Sequence, residues 1–223
     1  MNKVKKYFLI SIILLILSVL YTIAVKNVDT AKIGPNGSTV GFSTLNSKVH
    51  NTFEFNQTWY KITKYAGILP FFLVAFYGCT GLFQLINEKS LKKVDKKLIA
   101  LGIFYVVFAI VYLFFEKVII NYRPVLIDGK LEASYPSSHT LLAICLCGSS
   151  LVVSKYFIKK DSTRKIVNIL TSLTMLVIVV GRIISGVHWI SDIIGGIIIS
   201  LWLLSLFYTS ILAIDGENNF EKI

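Results

Sequence analysis

The sequence is short of charge. Only 16% of its 223 residues are Asp, Glu, Lys or Arg, while 55% are hydrophobic, giving a mean hydropathy of +0.71. Water-soluble domains carry about 25% charged residues, so composition excludes an ordinary soluble fold. Acidic residues are the scarcer sign, 12 against 23 Lys and Arg, for a net charge of +11. Cysteine is nearly absent. Cys79, Cys145 and Cys147 all fall within apolar stretches. They make no metal-ligand set and no external disulfide framework, and read as small buried hydrophobes. No internal repeat or low-complexity segment occurs.

What the chain has instead is long apolar runs. Six are readable, at about 7–25, 65–86, 98–116, 139–158, 166–184 and 190–213. A bilayer-spanning helix needs about 20 such residues. The expected fold is therefore all-α, an integral membrane bundle of six transmembrane helices. A secretory signal peptide is the alternative for the first run, but no small-residue cleavage site follows it. Pro70 and Gly78 are expected to bend the second span.

The basic residues are clustered. Lys3, Lys5 and Lys6 precede the first span; Lys89, Lys92, Lys93, Lys96 and Lys97 separate the second from the third; Lys159, Lys160, Arg164 and Lys165 separate the fourth from the fifth. Six spans bring all three clusters to one side, which the positive-inside rule makes cytoplasmic, together with both termini. The excess is then topogenic, with some attraction to anionic lipid. Nucleic-acid binding fits poorly, because membrane spans divide the clusters and no aromatic platform accompanies them.

The organisation expected is a single domain. Residues 1–63 are a first span and an aromatic outer loop, 64–214 a helical core carrying the site, and 215–223 a cytoplasmic tail. The loop holds Phe42, Phe53, Phe55, Trp59 and Tyr60. Aromatics favour the headgroup level, so the segment is expected along the interface beside a substrate entrance; a solvated loop with chance aromatics is the other reading. His50, alone in it, has no evident chemical role.

Three polar clusters fall on the side opposite the lysines. In YPSSHT, proline and two serines precede an apolar run, the mark of a helix start. Ser137 or Ser138 can cap the span, whose first-turn N–H groups and dipole make an anion site, and His139 stands beside it as a proton donor. Plain capping with an interfacial histidine is the alternative. In GRIISGVHWISD, His188 and Asp192 share a helix face at a spacing of four, so the carboxylate can fix one ring nitrogen and leave the other a lone pair. Arg182 can converge on the same anion across Ser185-Gly186, with the bidentate reach of a guanidinium. A structural His-Asp pair with a snorkelling arginine is the alternative. The last cluster, FEKVIINYRPVL, supplies Arg123-Pro124, with Glu116 and Lys117 upstream. Together they fit phosphoryl transfer through a histidine.

At this point the chain resembles a known family, the type 2 phosphatidic acid phosphatases (PAP2), membrane lipid phosphatases of the vanadium haloperoxidase superfamily. Their pattern is Lys, six residues, Arg-Pro; then Pro-Ser-Gly-His; then Ser-Arg, five residues, His, three residues, Asp. Here Arg123-Pro124, Pro136-Ser137-Ser138-His139 and Arg182, His188, Asp192 follow the same order and spacing, over residues 65–213. There are departures. Gly181 replaces the serine of the last motif and Ser138 the glycine of the second. Glu116 occupies the lysine position of the first, with Lys117 one residue late.

The resemblance implies that His188 attacks phosphorus and becomes a phosphohistidine, Asp192 orients it, and His139 protonates the leaving group. Arg123, Arg182, Ser137 and the N–H groups near Ser138 would stabilise the phosphoryl oxygens, with Lys117 as a doubtful further ligand and Glu116 as a residue behind them. No cofactor or metal is implied. A metal site at His139, His188 and Asp192 is discounted because two arginines would repel the ion. The expected partners are the bilayer and a lipid phosphate, best undecaprenyl diphosphate, otherwise phosphatidylglycerophosphate or phosphatidic acid, in a multi-pass cell-membrane protein with an extracytoplasmic site. A lipid phosphotransferase and a non-catalytic lipid-binding or transport protein are the competing readings. If FEKVIINYRPVL is one helix, Glu116 lies on the face of Arg123 and Lys117 does not.

Overall fold

A computed structural model describes residues 2–220, with side chains through Gly216. Among these residues lie eight α-helices: α1 Lys3–Asn27, α2 Ser43–Thr52, α3 Gln57–Ala66, α4 Leu69–Glu88, α5 Lys96–Lys117, α6 Ser138–Phe157, α7 Asp161–Ile184 and α8 Ile190–Phe220. Six crossings are long and apolar enough to span a membrane, α3 and α4 together making the second. Each matches a run anticipated from hydropathy. Their outward faces carry large apolar side chains such as Phe72 and Phe83, about two-thirds exposed, an arrangement suited to lipid rather than water.

The central helix is α6. Within its apolar window 61% of residues are buried, against 17–33% in the other five. Cys145, Cys147, Gly148, Ser149 and Ser150 keep its surface narrow, which lets neighbouring backbones approach closely. Cys145 and Cys147 are thus core fillers as anticipated, but Cys79 is exposed on the outside of α4. Packing runs α1 on α8, α6 on α7 and α8, and α3 on α7.

The basic clusters gather at one end of the bundle and the three motif clusters at the other. Lys97 departs from the topogenic pattern. It is buried, paired with Asp215 at 3.2 Å, and lies over the Tyr156 ring at 4.6 Å. Tyr156 also donates to Asp215. The tail expected at 215–223 begins as a continuation of α8, and its residues 221–223 lie outside the described residues.

Two connections differ from the expected loops. Residues 26–63 contain α2 and part of α3, and α3 packs against α7 beside the motifs. The stretch from Val118 to Ser137 is not helical. Its centre is a short hairpin, with Ile127 and Lys130 exchanging backbone bonds at 3.1 and 2.9 Å across Asp128-Gly129. Both turn residues have positive φ, 50° and 73°, the requirement of a two-residue turn that Asp-Gly satisfies. Tyr122 pairs with Ala133, so Arg123 faces Glu132 and Asn121 faces Ser134.

Candidate active site

Asp192 is held before it can hold anything else. Trp189 caps α8 and Asp192 is its third helical residue, so the carboxylate reaches back to the Trp189 N–H at 3.1 Å, half of a capping box at the favourable end of the helix dipole. Asn121 Nδ2 donates to Oδ1 at 3.2 Å and Ser134 Oγ donates to Oδ2 at 2.5 Å. All four residues are buried, and three donors compensate a carboxylate that burial would otherwise disfavour.

His188 precedes α8 rather than sitting on it, so the expected shared helix face does not form. Its Nδ1 is 3.9 Å from Asp192 Oδ2, too far for a hydrogen bond. Ser134 Oγ fills the interval, 3.0 Å from Nδ1. On the other side Arg123 Nη1 is 3.4 Å from Nε2. A guanidinium only donates, so Nε2 is the acceptor and Nδ1 carries the hydrogen. Burial first, then Arg123, Arg182 and His139, hold the His188 pKa well below the ordinary 6.5. The residue is a neutral imidazole with its Nε2 lone pair on the arginine side.

The α7–α8 turn makes this possible. Gly186 has φ +59°, and a Cβ there would meet the Phe53 carbonyl oxygen at 2.4 Å. Ser185 accepts from Asn56 N at 3.0 Å, so the segment joining α2 to α3 closes over the turn. Trp189 Nε1 donates to the Tyr122 carbonyl at 2.8 Å and ties the turn to the hairpin.

Arg182, in the last turn of α7, is 0% exposed, and none of its three guanidinium nitrogens has a hydrogen-bond partner among the described residues. Its flat face lies over the Tyr60 ring, 5.4 Å from the centroid. Tyr60 belongs to α3, as do Trp59 and Thr63. A Cβ at Gly181 would come within 2.4 Å of Thr63 Cγ2 and 3.1 Å of Trp59 Cε3, so the glycine at the serine position of the last motif is what lets α3 lie here. A Cβ at Gly67, just past α3, would meet His139 Cδ2 at 3.0 Å. Tyr60, Lys64 and Gly67 follow one another at spacings of four and three on one face of α3. Lys64 therefore stands between the residues that meet Arg182 and His139.

Ser137 is the cap of α6 as expected, but its side chain makes no capping bond; Ser137 Oγ accepts from Thr140 Oγ1 at 3.0 Å, and Ser137 N donates to Asp192 O at 3.0 Å. The N–H groups of Ser138 and His139 occupy the first turn, where no carbonyl of the helix can take them. Arg123 has an acidic partner, but it is Glu132, at 3.2 Å, rather than Glu116. The helical-phase argument for Glu116 fails because α5 ends at Lys117. Glu116 instead borders a cavity of about 20 Å³ with Ser134, Tyr135 and Ser138, and Lys117 is exposed beyond it. Among the described residues, no three His, Cys, Asp or Glu side chains are arranged to hold a metal.

The structure thus brings together His188, His139, Asp192, Arg123, Arg182 and the start of α6. It adds Ser134, Asn121 and Tyr60, none of which the motifs pointed to. Asp128-Gly129, after the apolar run Val125-Leu126-Ile127, was the sequence signal for the hairpin that carries two of them.

Comparison with known proteins bears on the fold and on the stretch that carries the motifs. The family model of the PAP2 superfamily matches residues 113–214. Lipid phosphate phosphatase delta of Arabidopsis thaliana is 34% identical over 84 residues, 37% of this chain. The match spans about a fifth, 20%, of that relative's length. A crystal structure of a transmembrane PAP2 type phosphatidylglycerolphosphate phosphatase from Bacillus subtilis shares the fold, with a TM-score of 0.54, 18% identity and 96% of each chain covered. The chain is accordingly a multi-pass membrane bundle, and its residues 113–214, which carry all three motifs, match the family model of the PAP2 superfamily.

Proposed function

We propose that the protein is a membrane lipid phosphatase working through a phosphohistidine, with undecaprenyl diphosphate as its best substrate. The observation that carries this is Arg182, a buried guanidinium with its donors unmet by protein. Buried donors are ordinarily satisfied, and a phosphate oxygen pair matches the guanidinium fork. His188 Nε2, the neutral lone pair beside it, then attacks phosphorus. The N–P bond forms at the terminal phosphorus as its P–O bond to the bridging oxygen breaks, His139 gives its proton to that oxygen, and the lipid monophosphate departs. A water, deprotonated by His139, attacks phosphorus next; the N–P bond breaks and inorganic phosphate leaves. Catalysis of this kind rests on positioning and charge stabilisation. Arg123, Arg182 and the first turn of α6 supply these, and guanidinium groups in that role support turnover that continues in chelator.

The preference for a diphosphate rests on the spread of cations. Arg182 is fully buried, Arg123 is largely buried, and Lys64 is exposed on the near face of α3, so three cations surround His139 and favour a headgroup with more than one phosphate. The site lies at the end opposite the lysine clusters, which by the positive-inside rule is the extracytoplasmic end. Lipid headgroups are present at that level while their tails stay in the bilayer.

The test is a panel of undecaprenyl diphosphate, phosphatidylglycerophosphate and phosphatidic acid, offered to purified protein in chelator beside His188→Ala. Radiolabelled phosphate trapped on the wild type alone supports the covalent step. Equal turnover by both proteins would overturn it, and mass analysis of products separates hydrolysis from transfer to an acceptor.

A further inference from the structure

We infer that Ser134 is a positioning residue through which Asp192 acts on His188, so that the unit is a three-membered relay rather than a carboxylate–imidazole pair. This rests on the phosphatase reading above for its meaning in turnover, but its geometry stands apart from it.

The hydrogens can be placed in only one way. Arg123 offers a proton to Nε2, which leaves Nδ1 as the protonated nitrogen. Nδ1–H then donates to Ser134 Oγ at 3.0 Å, and the single hydroxyl hydrogen of Ser134 goes on to Asp192 Oδ2 at 2.5 Å. The second bond is in the range of a charge-assisted O–H···O⁻ contact. When Nε2 takes up a phosphoryl group the ring becomes cationic, and the hydroxyl dipole, polarised by Asp192, faces that charge. The carboxylate remains 3.9 Å from Nδ1 and never receives the ring proton.

Ser134 is fixed for the task by backbone as well as side chain. Its N–H donates to the Asn121 carbonyl at 2.9 Å across the hairpin, and Asn121 Nδ2 holds the other carboxylate oxygen. Ser134 is 2% exposed, so water does not replace its hydroxyl without rearrangement.

The experiment compares Ser134→Ala, Ser134→Thr, Asp192→Asn and the Ser134→Ala/Asp192→Asn pair in the purified full chain. Ser134→Ala is expected to lower kcat by about 10²-fold or more with KM changed less than about twofold, and Ser134→Thr, which keeps the hydroxyl, to recover most of the loss. In the Ser134→Ala background Asp192→Asn is expected to cost less than about threefold, because its route is already cut. A full Asp192→Asn effect in that background, or Ser134→Ala within about threefold of wild type, would overturn the relay.

Nitrogen-15 shifts of the His188 ring give a reading independent of turnover. Nδ1–H is expected in the wild type and in both Ser134 variants, because Arg123 sets the tautomer, with the Nδ1 shift moved in Ser134→Ala by loss of its acceptor and restored in Ser134→Thr. An Nδ1 shift unchanged in Ser134→Ala, or an Nε2–H tautomer in the wild type, would overturn the assignment even if a variant lost activity by misfolding. A changed Nδ1 signature and failure of the substrate panel are thus separable results.

Discussion

The guanidinium of Arg182 lies over the ring of Tyr60, 5.4 Å from its centroid. The first residue comes from a motif helix and the second from a segment that the motifs leave out. The contact joins α3 to the proposed phosphate site and gives a direct test of that wall. Cation–ring attraction in a desolvated setting is about 0.5–2 kcal/mol. Tyr60→Leu should lower kcat/KM by about 3–30-fold, while Tyr60→Phe stays near wild type. Steady-state kinetics on the same lipid phosphate decide it, and equal values for both variants would remove the ring from the account.

If His188 is the nucleophile, as proposed, its activity should be insensitive to mild acid. Its pKa is depressed well below 6.5 by burial and by Arg123, Arg182 and His139. The active form is the neutral one, so activity owed to His188 is present above its pKa and lost only as pH falls through that low value. Arg123→Gln removes one positive neighbour and should move this acid limb upward. Profiles of kcat/KM from about pH 4.5 to 8 check both statements; a limb that moves down would refute the assignment.

His139 should matter only when the leaving group needs a proton. On a lipid alkyl phosphate His139→Ala should lose about 10²–10⁴-fold. On an aryl phosphate with an acidic phenol the loss should shrink to about tenfold or less, since that oxygen departs as an anion. Similar losses on both substrates would mean that His139 serves binding rather than proton transfer.

Gly181 should resist enlargement. A Cβ there collides with Thr63 and Trp59 of α3, and overpacking of this kind costs about 1–3 kcal/mol. Gly181→Ser should lower the Tm of the detergent-solubilised protein. Adding Thr63→Ala should recover part of it. A Gly181→Ser protein as stable as wild type would show that α3 is not seated against α7.

Much of the fold could be read from hydropathy, because a membrane span is written as a long uninterrupted run, and all six crossings lie where those runs do. The motif residues were legible as well, since their order and spacing are local. What was not legible depended on backbone that leaves the helix. Val118-Ile119-Ile120 is a β-branched run after Lys117, disfavoured in helices, and it ends the phase relation once drawn between Glu116 and Arg123. The partnership of Arg123 with Glu132, and of Asn121 and Ser134 with Asp192, follows from cross-strand register, which no linear spacing displays. Tyr60 stands in the sequence as one aromatic among several, because its meeting with Arg182 depends on how α3 lies across α7.

The two-residue turn at Asp128-Gly129 has a wider consequence. Asn121, Arg123 and Ser134 ride on the two arms of that hairpin, and a slip of one residue would turn every side chain on an arm to the opposite face. The six membrane helices bring the reacting groups into the same neighbourhood, but their fine alignment is delegated to a small non-helical clasp. An added residue at that bend is expected to misalign Ser134 and Arg123 together while leaving the membrane bundle intact.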